Sequence, residues 1–458
     1  MSELSVTPAH SESLPEWLRS SEVAGVTIVW ADNNGIPRSR TVPVNHLMEV
    51  AARGVGVTAL FAVFDSHDGI TFAHEGLSTP SGDVRLLPLL DRLRPLAGQP
   101  AFAWVPGRQL AADGSAWPYD QRAALEAQVK RAADLGLEIR AGYEIEFFVG
   151  RDSDDLQPAH HGPAYSPHAL LAIDGFAGQL LRDLTANGLE IGQLHAEYGL
   201  AQVELSLAAT DPITAADNQL LARQTIHAAA RSHGLRASFA PLVTADGVGN
   251  GWHIHSSVWR GDENLLAGDT DISYPRPGPE GASYLAGMLR DLPAITAVSA
   301  PSVPSRARLR PSYFAGAYTF WGVENREAPL RYVPASTLLG SSHANVELKP
   351  SDASGNPYLA LAALIAAGLA GVDEGLALPA PVQQDPGSWT EEERDSAGIV
   401  PLPTTPEQQE QALLGAEPVR AALGEPLLGA FLAVRRADAA WAAERTLDEI
   451  IAAHLWLY

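Results

Sequence analysis

Four short segments set carboxylates and imidazoles in an alternating, strand-like pattern. In Tyr143-Glu144-Ile145-Glu146-Phe147 the two-residue period of an extended chain puts both glutamates on one face and apolar side chains on the other. Glu197-Tyr198-Gly199-Leu200-Ala201-Gln202-Val203-Glu204-Leu205 again exposes glutamates among apolar residues, with a glycine to bend the chain. Trp252-His253-Ile254-His255-Ser256-Ser257-Val258 aligns His253, His255 and Ser257, while Asn345-Val346-Glu347-Leu348-Lys349 sets Glu347 opposite Val346 and Leu348. A single glutamate on such a strand ordinarily faces solvent. Five glutamates converging on one cavity would instead repel unless neutralised, and hard divalent cations bound through oxygen are the usual neutraliser. Carboxylates with one imidazole and no sulfur favour Mg2+ or Mn2+ over a closed zinc site, and two or more ions would balance the charge.

A basic cluster follows: Arg306, Arg308 and Arg310, then Asn325-Arg326-Glu327-Ala328-Pro329-Leu330-Arg331. Planar, permanently charged guanidinium groups suit phosphate and carboxylate recognition, so arginines beside a carboxylate-rich face point to phosphoryl transfer. A solvated loop accounts equally well for Arg306 and Arg310. The chain has no Gly-x-x-x-x-Gly-Lys-Ser/Thr loop, which excludes phosphate binding of the P-loop type.

The elements that must hold these groups are readable in outline. From Gly25 to Val44 the alternation of Val26, Ile28 and Trp30 around Asn33-Asn34-Gly35 predicts a hairpin. Strand-like stretches at 82–86 and 101–105 extend a small β-rich domain that ends near residue 115. Asp120 caps a helix carrying Leu125, Val129 and Ala132 and stopped at Gly136; further helices are expected around 177–186 and 213–233. The remainder reads as α/β in composition, with a Pro-rich, acidic loop over 379–411.

Bulk composition narrows the function classes. The 458 residues carry 31 basic and 54 acidic side chains, a formal charge of -23 that repels nucleic acid and anionic membranes. With no cysteine, disulfides and thiolate metal sites are excluded. Residues 1–23 lack the basic-then-apolar pattern of a secretory signal, and the alanine-rich run 358–372 reads as a buried helix, so a cytoplasmic protein without membrane partners is expected.

In order and spacing the chain resembles glutamine synthetase of the bacterial dodecameric type. The resemblance rests on Glu144-Ile145-Glu146-Phe147-Phe148, on His195-Ala196-Glu197 with Glu204, and on Gly249-Asn250-Gly251-Trp252-His253-Ile254-His255. Asn325-Arg326-x-Ala328-x-x-Arg331 and Asn356-Pro357-Tyr358-Leu359-Ala360 complete it. It implies an α+β protein: an N-terminal β-grasp domain over 20–115 and, over 116–458, a catalytic domain whose curved antiparallel sheet forms a metal-lined funnel. By that resemblance Glu146, Glu197 and Glu204 hold one metal and Glu144, His253 and Glu347 the other. His255, Ser257 and Arg331 contact the nucleotide, Arg308 and Gly249 the amino acid, and Arg326 the transferring phosphoryl group. ATP would be the cosubstrate, γ-glutamyl phosphate the intermediate, and two stacked hexameric rings with active sites between subunits the assembly.

Departures from the family pattern point away from ammonia. Ammonia-using members carry a flap glutamate six residues after the arginine that Arg308 matches; here that position is Phe314, and no glutamate lies between Arg310 and Gly322. An aromatic wall disfavours ammonium and accepts an amine bearing carbon. Lys349 replaces an arginine at the glutamate end, and Ala344-Asn345 replaces a basic pair. These departures resemble the branch that glutamylates ethanolamine or polyamines, with a small monoamine such as ethanolamine the expectation. Asp65, or Asp68 beside it, is the candidate base for the amine, reaching a neighbouring subunit's site. Ordinary glutamine synthetase and a silent structural relative are the alternatives. No tyrosine lies between Tyr358 and Tyr458, so adenylylation of a late-loop tyrosine is not expected.

Overall fold

A computed structural model describes residues 14–77, 79, 82–153, 156–268 and 275–458. The expected hairpin forms from β1 (Gly25–Ala31) and β2 (Pro37–Pro43), paired antiparallel. After a short helix, Leu47–Arg53, the chain adds β3 (Val55–Thr58), β4 (Asp83–Pro88), β5 (Arg94–Pro95) and β6 (Phe102–Leu110). Strand order is β2-β1-β6-β4-β3, with β6 running parallel to β1, and this is the β-grasp arrangement. Val26, Ile28, Val42, Val84, Leu86 and Val105 close one core beneath the helix.

The hairpin tip is buried, unlike an ordinary surface turn. Gly35 has φ +68° and lies so close to the Ala353 and Gly355 carbonyls that a Cβ would meet them at 2.7 and 2.6 Å. Arg223 donates to the Gly35 carbonyl at 2.7 Å, and Asn356 donates to the carbonyls of Ala31 and Asp32 at 3.1 and 3.0 Å. The first sheet is thereby pinned to the start of the central helix Pro357–Glu374, whose N-terminus Asn356 also caps. That helix is apolar on every side and long enough by composition to cross a membrane, but it is packed inside the protein.

The second sheet holds nine strands among the described residues: β7 (Glu138–Arg151), β8 (Ile191–Ala196), β9 (Gln202–Leu207), β10 (Leu235–Ser238), β11 (Trp252–Arg260), β12 (Glu263–Asn264), β13 (Trp321–Val323), β14 (Leu330–Val333) and β15 (Asn345–Leu348). Its main path runs β13-β14-β15-β11-β7-β9-β8. Helices Gln121–Asp134, Asp174–Ala186 and Pro212–Ser232 cover one face, where Tyr143, Ile145 and Phe147 enter the core. Asp120 caps the first of these helices, as expected, through the N–H of Arg122. Two expectations change. The 197–205 segment is not one strand, because Glu197 to Ala201 form the turn between β8 and β9, with Ala201 at φ +46°. The stretch 379–411 also carries helices, Glu391–Ser396 and the start of Pro406–Gly415, each begun by a threonine capping box.

Candidate active site

Strand register brings the polar residues into one row on the uncovered face. Glu146 of β7 lies opposite Glu204 of β9, which lies opposite His195 of β8. Glu144 of β7 lies opposite His253 of β11; His255 of β11 opposite Glu347 of β15; and Glu347 opposite Arg331 of β14. Directly opposed residues have Cβ atoms about 5 Å apart, close enough for their side chains to meet. A cavity of about 1190 Å³ opens over this row and is lined by Glu144, Glu146, Glu197, Glu204, His253 and Glu347.

The distances define overlapping donor sets. Nδ1 of His253 is 3.3 Å from Oε2 of Glu144 and 3.3 Å from Oε1 of Glu347, and its Nε2 is 4.0 Å from Oε1 of Glu146. Nε2 of His195 is 3.3 Å from Glu197 and 3.7 Å from Glu204. Three groupings could each hold a cation: Glu144 with His253 and Glu347, Glu146 with Glu204 and His253, and Glu197 with Glu204 and His195. His195, two residues before Glu197 on β8 and across the turn from Glu204, enters as a donor that strand periodicity did not mark.

The charge of the row is what a cation would offset. Glu204 is buried, and burial together with Glu144, Glu146, Glu197 and Glu347 pushes its carboxyl up to about 9. Burial also raises Glu146. Burial would raise Glu144 too, but hydrogen bonds with His253 and His255 outweigh it and hold it below its usual range. Burial of Glu347 is likewise outweighed, by Lys349 and the two histidines. His255, desolvated yet paired with Glu144 and Glu347, rises to about 9. A carboxyl forced to keep its proton among four others is what divalent ions would relieve, and the all-oxygen and imidazole donors suit such ions.

The cationic residues separate into those at the cavity and those away from it. Arg308, buried, donates to the Ser351 carbonyl at 3.0 Å and faces Asp352. Arg331 donates to Oε2 of Glu347 at 2.9 Å and Lys349 to Oε1 at 2.7 Å. These three and Arg326 line the cavity. Arg310 instead ties down the carbonyls of Ala245 and Gly247, and Arg306 turns to Gln409 at a second cavity of about 730 Å³. Gly249 also lines the site, and any Cβ there would strike the Pro241 carbonyl at 2.2 Å. His255 reaches Glu144 and Asn345 at the edge of the row, while Ser257 accepts the indole N–H of Trp259. Neither lines the cavity.

Phe314 stands at the mouth, 59% exposed. Asp65 and Asp68 lie outside this chain's cavity: Asp65 accepts the N–H groups of His67 and Gly69, and Asp68 pairs with Arg38 at 2.7 Å. Sequence reasoning missed two further residues. Tyr165 donates to Glu197 at 2.5 Å and stacks on His195, yet it sits in an irregular loop that no periodicity marks. Gln202 bonds the Gly249 carbonyl and Asn250 Oδ1, both at 2.9 Å, fastening that loop to β9. Its place two residues before Glu204 on the same face of β9 was the available signal.

Comparison with known proteins agrees with this geometry. The family described as glutamine synthetase, catalytic domain, matches residues 118–451. The γ-glutamylpolyamine synthetase GlnA3 of Streptomyces coelicolor is 42% identical over 447 residues, covering 96% of this chain and 95% of that one. A glutamine synthetase of Pyrococcus abyssi is 28% identical over 94% of this chain and 92% of its own length. A solved glutamine synthase homolog superposes with a TM-score of 0.83 at 31% identity, over 95% of this chain and 99% of that one. The chain belongs to the glutamine synthetase family. It is an ATP-dependent γ-glutamyl ligase, and enzymes of this family use divalent metals together with ATP.

Proposed function

We propose that this ligase joins the γ-carboxylate of glutamate to an organic amine of the polyamine class, with ammonium a poor substitute. The cavity mouth carries the reading: Tyr165, Tyr198 and Phe314 line it at 64%, 72% and 59% exposure, together with Asp246. Exposed aromatic rings beside a carboxylate suit a methylene chain bearing a second ammonium, through apolar contact and cation–π attraction; bare ammonium has no use for the apolar part. The name of the Streptomyces coelicolor relative supports the same class. Ethanolamine, the expectation from sequence, gains no comparable support.

In this reading Glu146, Glu197 and Glu204 hold one divalent ion and Glu144, His253 and Glu347 another, Mg2+ or Mn2+. Ions held there would supply positive charge to offset that which builds up between the glutamate carboxylate and the γ-phosphate of ATP. Arg326 stabilises the phosphoryl group in flight and Arg331 contacts the nucleotide from the cavity wall, with His255 and Ser257, which lie just beyond that wall, as the further contacts the family resemblance suggests. Arg308, Lys349 and the Gly249 backbone hold glutamate. The amine nitrogen, having lost a proton, forms the amide bond as phosphate leaves. Asp65, with Asp68 the alternative, takes that proton. Its distance from its own chain's cavity fits delivery from a neighbouring subunit in a cytoplasmic homo-dodecamer of two hexameric rings, each chain divided at residue 115.

ADP release with ATP, Mg2+ and glutamate, against putrescine, spermidine, ethanolamine and ammonium, tests the proposal. Polyamines should give the highest kcat/KM. Ammonium as the best amine would make the protein an ordinary glutamine synthetase, and ethanolamine as the best would restore the compact-pocket expectation.

A further inference from the structure

The flap over the cavity carries backbone strain that needs an anchor. Ser312 and Phe314 have φ of +61° and +55°, a region that non-glycine residues enter at a cost and hold only when neighbours fix them. Two side chains supply the fixing. Ser312 Oγ donates to Oδ2 of Asp385 at 2.7 Å, and the Phe314 N–H donates to Oε1 of Glu327 at 3.1 Å. Both acceptors stand on one rigid base. Asn325 donates to the carbonyls of Val382 and Gln384 at 2.9 and 3.1 Å, and its Oδ1 receives the Glu327 N–H at 3.0 Å. Between Asn325 and Glu327 lies Arg326, which lines the cavity.

The geometry points to Glu327 as a positioning residue that latches the Phe314 flap to the turn carrying Arg326. A carboxylate accepting a backbone N–H makes a charge-assisted bond, stronger than a neutral one. The latch sets the flap, and with it the aromatic wall, at a fixed place relative to the arginine, so that the wall closes where phosphoryl transfer occurs. Its consequence for amine binding rests on Phe314 forming the amine wall as proposed above; the latch itself does not.

The test uses full-length protein and two variants, Glu327→Ala and Glu327→Gln. The glutamine amide oxygen still accepts the Phe314 N–H, so it preserves the latch that alanine removes. In Glu327→Ala, amide hydrogen exchange over residues 309–317 should quicken about tenfold, the effect of losing one good hydrogen bond. The KM for the polyamine should rise by a similar factor, with the KM values for ATP and glutamate unchanged. Glu327→Gln should restore both readouts to within about threefold of the parent, since a neutral acceptor is only modestly weaker. Unchanged exchange in Glu327→Ala overturns the latch whatever the kinetics show. Faster exchange with an unaltered amine KM upholds the latch and overturns the reading of Phe314 as the amine wall. Failure of glutamine to restore slow exchange also overturns the latch, because the carboxylate would then act by another route.

Discussion

The floor and the rim of the cavity are built by different means. On the floor, Glu204, His253 and Glu347 are 6%, 7% and 1% exposed and sit on paired strands, so register alone fixes which side chains meet. At the rim, Ser312 and Phe314 sit on a loop at positive φ, tied by side-chain bonds to Asp385 and Glu327. Moving a floor residue means shifting a strand by two positions. Moving a rim residue takes one lost hydrogen bond. A chain built this way can keep phosphate chemistry constant while its choice of amine changes.

The largest effect should come from the floor. Glu204→Gln keeps the shape but removes a charge needed to hold a cation, so kcat should fall on the order of 10²–10³-fold or more. Its metal-free thermal midpoint at neutral pH should not drop, because the Glu204 carboxyl already keeps its proton there and glutamine matches that neutral form. Retained turnover would show that Glu204 is not a ligand. A second floor effect concerns pH. Glu204 rises from 4.5 to about 9 and His255 from 6.5 to about 9 on folding. For both groups the folded state keeps a proton that the unfolded state has already released. Metal-free protein should therefore lose stability as pH rises from about 4.5, where the Glu204 contribution begins to fall, more steeply from about 6.5, where His255 joins it, until both have titrated near 9, by several kcal/mol at most. Mg2+ should flatten that slope, read by denaturant unfolding with and without EDTA. A slope that Mg2+ leaves untouched would place the ion elsewhere.

The same contrast explains what the sequence revealed. Alternation on β7, β11 and β15 marked Glu144, Glu146, His253, His255 and Glu347, because a strand's period is written in its own residues. The hairpin at Asn33-Asn34-Gly35 was visible for the same reason, but its burial against Gly355 was not, since that depends on a segment more than 300 residues away. Glu197 was assigned to a strand because apolar neighbours mimic alternation, whereas the Ala201 conformation creates a turn. Composition alone did not separate the arginines, but the family resemblance singled out Arg308, which lines the cavity, while Arg306 and Arg310, for which a solvated loop was the competing reading, bond elsewhere. Tyr165 and the Glu327 contact with Phe314 are tertiary facts with no sequence signature.

An intermediate effect is expected at the rim. Phe314→Gly removes the aromatic wall and relieves a left-handed aromatic residue, so stability should hold or rise by about 1 kcal/mol. The ratio of kcat/KM for polyamine to that for ammonium should fall about tenfold, the worth of one well-placed apolar contact. A ratio that stays fixed would remove Phe314 from the specificity of the enzyme.

The smallest catalytic effect should belong to Arg306. It shares the sequence cluster with Arg308 but donates to Gln409 at 2.7 Å and the Pro301 carbonyl at 3.1 Å, beside a cavity that contains none of the floor glutamates. Arg306→Met fills similar space, leaves those acceptors without their donor, and should cost about 1–2 kcal/mol of stability. Its kcat/KM should stay within about twofold of the parent, as for other substitutions remote from a site. Arg308→Met should be far more damaging, because Arg308 lies beneath Gly249 at the cavity wall. If the two variants lose activity equally, Arg306 must act on the site through the helix Val303–Arg308 that carries both residues, and the separation of floor from surroundings would need to include that helix.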